Sequence, residues 1–129
     1  MRRSRSTGAV LATLALAFAA VSPAHAAPSK IVSMNVCVDQ YLMVLADPGQ
    51  IRALSRFARD PAMSFYADKA KTLPQSRSTV EEVLALRPDM VFASPYRSKA
   101  AFAPLERQGV PILEVGAANT FEEVIGQIR

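Results

Sequence analysis

Histidine is nearly missing from this chain: the single residue, His25, stands inside an N-terminal stretch that has its own reading below. Tryptophan is absent, there is one cysteine, and there are five glycines. Each shortage removes a kind of chemistry. Without imidazole beyond residue 25, zinc or manganese has no His ligand, and a cysteine has no His base to make it a thiolate. One Cys cannot close an internal disulfide, so Cys37 is expected to be a small, structural core residue. Neither G-x-G-x-x-G nor G-x-x-x-x-G-K-[ST] occurs, which leaves little glycine backbone to cradle a pyrophosphate. The pairs Glu81-Glu82 and Glu122-Glu123 suit helix starts, where carboxylates complement the dipole, and neither makes an acid/base site by itself.

The N-terminus is legible as a leader. Arg2, Arg3 and Arg5 precede an Ala/Leu-rich run from Ala9 to Val21, and Ala24-His25-Ala26 supplies small residues at the two cleavage-site positions. This is the layout of a secretory signal peptide over residues 1–26, cut after Ala26. No Cys stands at the cut, so no lipid anchor is expected, and the released chain is expected in a bacterial periplasm. The formal charge of +4 belongs mostly to the leader: three of the fifteen Lys and Arg are in it, and the others nearly balance eleven Asp and Glu. A basic face for nucleic acid is therefore not expected. Residues 27–129 suffice for one small domain, expected to be a monomer.

Three segments repeat one grammar of amphipathic helix, breaker and short β-rich run: "YLMVLADPGQIRALS", "VEEVLALRPDMVFAS" and "FAPLERQGVPILEVG". Asp47-Pro48-Gly49, Pro88 and Gly109 are the breakers. Alternation of this kind predicts an α/β fold, an open parallel sheet of about four strands with helices on both faces. Strands are expected at 31–35, 51–55, 89–93 and 111–115, with an extended piece near 72–74. Helices are expected at 36–46, 61–70, 79–87 and 98–108, and one opens at Thr120. Asp60 with Pro61, Ser78 with Glu81, and Thr120 with Glu123 are the predicted helix starts. The chain stops at Arg129 in mid-helix, which reads as a fragment.

Parallel strands deliver the segments that follow them to one edge, the usual ligand site. That edge should collect 35–39, 55–59, 94–97 and 116–119, with 74–77 beside them. It carries Arg56, Arg59, Arg77 and Arg97 with Phe57 and Tyr96. Planar guanidinium forks flanked by aromatic faces, at an edge where helix N-termini point, suit an anionic or polyoxygenated ligand.

The stretches "KIVSMNVCVDQYLMVLADPGQIRALS", "STVEEVLALRPDMVFAS" and "LERQGVPILEV" resemble the N-terminal lobe of the periplasmic substrate-binding proteins that serve cobalamin and ferric-siderophore ABC importers. The resemblance covers essentially residues 29–129. It implies two α/β lobes joined by a long helix, with ligand in the cleft between them and little closure on binding. Residues 27–129 would then be the first lobe, cut before the second. It also implies ligand-facing loops that contain Asn35, Asp39, Arg56, Phe57, Arg59, Arg77, Tyr96 and Arg97. Glu81 takes the place of an acidic residue that meets Arg residues of the membrane permease. The implied function is a non-enzymatic, exported component of an ABC importer that captures a ferric siderophore, with no cofactor of its own. Cobalamin and heme are the alternative ligands. Rivals of other classes are a small exported flavodoxin-like or Rossmann-type enzyme, and a truncated product without a function of its own.

Overall fold

The structure, a computed structural model, describes residues 26–97 and 99–129. The leader before Ala26 lies outside the described residues. The elements run β1 (Ile31–Ser33), α1 (Val36–Leu45), a 3-10 turn (Pro48–Gln50), β2 (Ile51–Ala53), α2 (Ala67–Ala70), α3 (Val80–Ala85), β3 (Met90–Ala93), α4 (Lys99–Arg107), β4 (Ile112–Glu114) and α5 (Phe121–Ile128). The strands form one parallel sheet in the order β2-β1-β3-β4. This is the α/β architecture expected from the alternating breakers. Among the described residues no helix is long and apolar enough to cross a membrane.

Alternation along β1 and β3 divides the core between the two faces of the sheet. Ile31 packs with Val38, Leu42, Met43, Ile51, Leu54 and Leu73 under α1, and Phe92 joins them from β3. Val32, Ala53, Val91 and Ala93 pack with Val83 of α3 and with Phe102 and Leu105 of α4. Ile51 and Ala53 should share a face at a spacing of two. An irregularity pairs Ile31 with Ile51 but Val32 with Ala53, so they serve opposite faces while Arg52 stays exposed.

Helix ends explain the boundaries. Asn35 Oδ1 accepts from Cys37 N at 2.9 Å and starts α1. After α4, Gly109 takes φ +71, and its N–H donates to Glu106 O at 2.9 Å. A left-handed residue at this place satisfies the last carbonyls of a helix, and glycine adopts it without a Cβ clash. Arg87, at φ +49, has the same place after α3, just ahead of Pro88.

Two predicted starts differ in the structure. The cap of α3 is Thr79, which accepts from Glu82 N at 3.3 Å, while the Glu82 carboxylate turns back to Arg77 N at 2.8 Å. The cap is therefore displaced by one residue from Ser78, because Ser78 is left-handed, at φ +59, and cannot occupy an extended cap, and no reciprocal box closes, since the Glu82 carboxylate meets Arg77 N and not the N–H of Thr79. Asp60 does begin a turn, accepting Ala62 N at 2.9 Å on its side chain and Ser64 N at 2.8 Å on its carbonyl. The turn does not propagate, and helix resumes only at Ala67, because Phe65 N donates to Gln40 Oε1 at 3.2 Å instead of to a helical carbonyl. Thr120 caps α5 as expected, accepting from Glu123 N at 3.2 Å.

Candidate functional site

Because all strands are parallel, Asn35, Leu54–Arg59, Ser94–Arg97 and Val115–Thr120 emerge at the same edge. In the order β2-β1-β3-β4, chain direction diverges between β1 and β3. The loop after β1 leads to α1 on one face, and the loop after β3 leads to α4 on the other. The gap they leave is the crevice where open α/β sheets bind ligands. The N-termini of α1, α3, α4 and α5 all lie at this edge, so their free N–H groups give it positive partial charge.

The predicted residues divide into those that build the rim and those that face outward from it. Asn35 spans the crevice floor: its Nδ2 donates to Val115 O at 3.2 Å while its Oδ1 caps α1. Both ends of the amide are thereby engaged. Asp39 is fully buried and accepts from Ser55 N at 3.0 Å and Ser55 Oγ at 2.5 Å. Its carboxylate clasps α1 to the end of β2 and does not reach the surface. Burial pushes its carboxyl above the usual range, and the bonds from Ser55 and Ser33 only partly offset this. Arg59 is exposed, yet part of its guanidinium is engaged, with Nη2 donating to Leu73 O at 2.8 Å and Nε to Ala70 O at 3.3 Å. Ala70 is the last residue of α2 and Leu73 follows in the turn after it, so the guanidinium ties down the chain where the helix ends. The structure thus buries the Asp39 carboxylate, expected in a ligand-facing loop, in a structural clasp, and gives Arg59 structural bonds while leaving it exposed.

Arg56, Arg77, Tyr96 and Arg97 are exposed. Arg56 lies over the half-buried Phe57 ring, 4.3 Å from its centroid, which holds the guanidinium by cation–π attraction. Arg77 Nε stands 3.6 Å from Glu82 Oε2 and is mostly in solvent. Arg97 Nη1 donates to Ser78 O at 3.3 Å, and Tyr96 beside it is 81% exposed. Glu81, freed from the cap by Glu82, is exposed at the start of α3 and makes no hydrogen bond among the described residues.

Sequence reasoning missed several groups. Phe65 is 86% exposed, held by Gln40 of α1, and packs edge-on against Tyr66 with ring centroids 5.0 Å apart. Met63 beside it is also exposed. "MSFY" was absorbed into an expected helix, so its aromatics carried no separate signal. Cys37 is exposed, contrary to its expected burial. Successive helical residues turn by about 100°. With Val38, Leu42 and Met43 inward, Cys37 turns out to line a cavity of about 320 Å³ with Gln40, Tyr41, Gly116, Ala118 and Gln127.

No protein-family model matches the chain. In sequence it is similar to D-tagatose 6-phosphate 4-epimerase of Agrobacterium fabrum, at 30% identity over 102 residues, covering 74% of this chain and 24% of that protein. In structure it is similar to a periplasmic heme binding protein from Pseudomonas aeruginosa (TM-score 0.61, 21% identity), covering 78% of this chain and 36% of that one. A possible iron-binding, periplasmic solute-binding protein from Staphylococcus epidermidis matches with TM-score 0.59 at 21% identity, over 78% of this chain and 42% of its own. The periplasmic vitamin B12 binding protein of Vibrio cholerae matches with TM-score 0.56 at 22% identity, over 77% and 38%. The chain therefore has the fold of one part of these binding proteins. It spans about a quarter of the curated relative and well under half of each solved neighbour.

Proposed function

We propose that this chain is the N-terminal lobe of an exported, non-enzymatic solute-binding protein of an ABC importer, which captures a ferric siderophore and passes it to a membrane permease. One observation carries the reading: Arg56, Arg77 and Arg97 stand exposed around the sheet edge where the chain diverges between β1 and β3. Arg56 and Arg97 are each held by a contact that leaves further guanidinium N–H groups for a ligand. A ferric chelate with anionic oxygens suits such forks. The shared fold with periplasmic heme, iron and vitamin B12 binding proteins supports the class. Glu81, free at the start of α3, is proposed to meet the permease, and residues 1–26 are proposed to be removed on export.

A second reading, a heme or corrinoid, is favoured by the exposed rings of Phe65 and Tyr96, which would offer faces to a planar macrocycle. The epimerase similarity raises a phosphorylated sugar as a third ligand class. Equilibrium dialysis of the chain and of any longer parent against a ferric tris-catecholate, hemin, cyanocobalamin and D-tagatose 6-phosphate tests all of them. The ferric chelate should bind, and more weakly as salt rises, because solvent-screened charges share the attraction. Tighter binding of cyanocobalamin with a flat salt response would replace the siderophore reading with the corrinoid one. Conversion of the sugar phosphate would overturn the binding-protein reading altogether. Mass spectrometry of exported chain should find Ala27 at its N-terminus.

A further inference from the structure

Ser78 is buried, is not a glycine, and is held at φ +59. L-residues avoid this left-handed region, and those found there tend to have a local reason. Glycine would turn the chain here without cost to its own conformation, but it would bring no side-chain acceptor. The serine oxygen has a specific use: Oγ accepts from Arg56 N at 3.2 Å. Its carbonyl accepts from Arg97 Nη1 at 3.3 Å, and its own N–H donates to Ser76 Oγ at 3.2 Å. Among the described residues no backbone amide competes for that carbonyl.

Three rim segments meet at this residue. The stretches 54–56 and 74–76 are already laced together, by Leu54 N to Pro74 O at 2.8 Å, Ser76 N to Leu54 O at 2.9 Å, and Gln75 Nε2 to Arg56 O at 3.0 Å. Those bonds do not reach the loop after β3. Ser78 does, because one side of it fixes the backbone of Arg56 and the other fixes the guanidinium of Arg97. The Arg56 ring contact and the Arg97 carbonyl contact are thus referred to one rigid point.

We propose that Ser78 is a positioning residue that sets the separation of Arg56 and Arg97, so that both guanidinium groups meet one anionic ligand across the crevice. This rests on the reading of the rim as an anion-binding edge. The left-handed turn supplies the carbonyl for Arg97, and the hydroxyl supplies the acceptor for Arg56. Neither alone would relate the two arginines.

The test uses the full chain as wild type, Ser78→Gly, Ser78→Ala, Arg97→Gln and the double variant Ser78→Gly/Arg97→Gln. The probe is a ferric tris-catecholate, with neutral cyanocobalamin as comparator. Ser78→Gly relieves the backbone, so its urea midpoint should match or exceed that of wild type. It should nevertheless lose hydrogen-exchange protection at the Arg56 amide and bind the ferric chelate about tenfold more weakly, the scale of one hydrogen bond. Ser78→Ala should lose the same protection. Arg97→Gln should weaken binding less in the Ser78→Gly background than in wild type, since the two act as a unit. Unchanged affinity in Ser78→Gly, or additive losses in the double variant, would overturn the proposal. If wild type binds neither probe, the anion-binding reading fails by itself. Ser78 is then judged by exchange alone: retained protection at Arg56 in both Ser78 variants overturns its positioning role, and lost protection supports it.

Discussion

Helices α4 and α5 are nearly equal in length and both amphipathic, yet they sit on the sheet in different ways. α4 seats Phe102, 2% exposed, and Leu105, fully buried, against Val32, Val91 and Ala93. α5 has the stronger segregation of apolar and polar residues but buries none of them: Phe121 is 85% exposed, and Ile125 and Ile128 are about half exposed. Polar contacts hold it instead. Thr120 caps it, Asn119 N donates to Glu123 Oε2 at 2.6 Å, Gln127 Nε2 donates to Gly116 O at 3.0 Å, and Tyr41 OH donates to Gln127 Oε1 at 3.2 Å. Between α5, α1 and the sheet lies an apolar cavity of about 310 Å³ lined by Leu42, Leu45, Phe92, Leu113 and Ile128. An amphipathic pattern states which face of a helix can be buried; how far it is buried depends on what the sheet offers opposite.

That contrast can be broken most directly with truncations. Phe102→Ala should cost about 3–5 kcal/mol of folding stability, whereas Ile125→Ala should cost less than about 1 kcal/mol. Urea unfolding followed by circular dichroism measures both, and equal losses would mean that α5 packs as α4 does. The next effect is one of pH and concerns the clasp on the α1 side. Burial raises the folded-state carboxyl of Asp39 above its ordinary value of 3.8, so the folded chain holds that proton more tightly than the unfolded chain does. This group's stabilising contribution is therefore complete below the ordinary value and is lost as pH rises through the raised one. Stability of wild type should fall over that interval relative to Asp39→Asn, and parallel pH curves would contradict the sign.

Arg59→Gln should lower stability by about 1 kcal/mol through the freed carbonyl of Leu73, since that of Ala70 keeps its bond from Leu73 N, and leave ligand affinity alone. Gln127→Ala should cost about 1 kcal/mol or less and act locally, as faster amide exchange at Val124 and Ile125 with α4 unchanged. Spreading of that loss into α4 would show that the two helices share one cooperative unit. Smallest of all, Arg77→Gln should move stability by only a few tenths of a kcal/mol, since its ion pair is solvent-exposed. Its affinity for an anionic chelate should nonetheless drop, which makes it the mirror image of Arg59→Gln.

The sequence by itself determined the parallel α/β order. Pro48, Pro88 and Gly109 act within a few residues of themselves, and breakers followed by β-rich runs leave few arrangements open. It also gathered the loops after the strands at one edge, because parallel strands necessarily deliver their following loops to one side. The cap at Thr120 was legible for the same reason, as a side chain meeting an amide three residues on. Only the tertiary structure decided which rim side chains are engaged by the rest of the fold. Asp39 and Arg59 were indistinguishable in the sequence from Arg56 and Arg97, because their partners at Ser55, Ala70 and Leu73 lie eleven to sixteen residues away and meet them only when the loop after β2 folds back. The turn of Cys37 outward, the shift of the α3 cap from Ser78 to Thr79, and the left-handed turn at Ser78 were likewise set by contacts that local pattern does not encode. A charged side chain at a loop is spent or free according to which carbonyls and carboxylates the rest of the fold brings within about 3 Å of it.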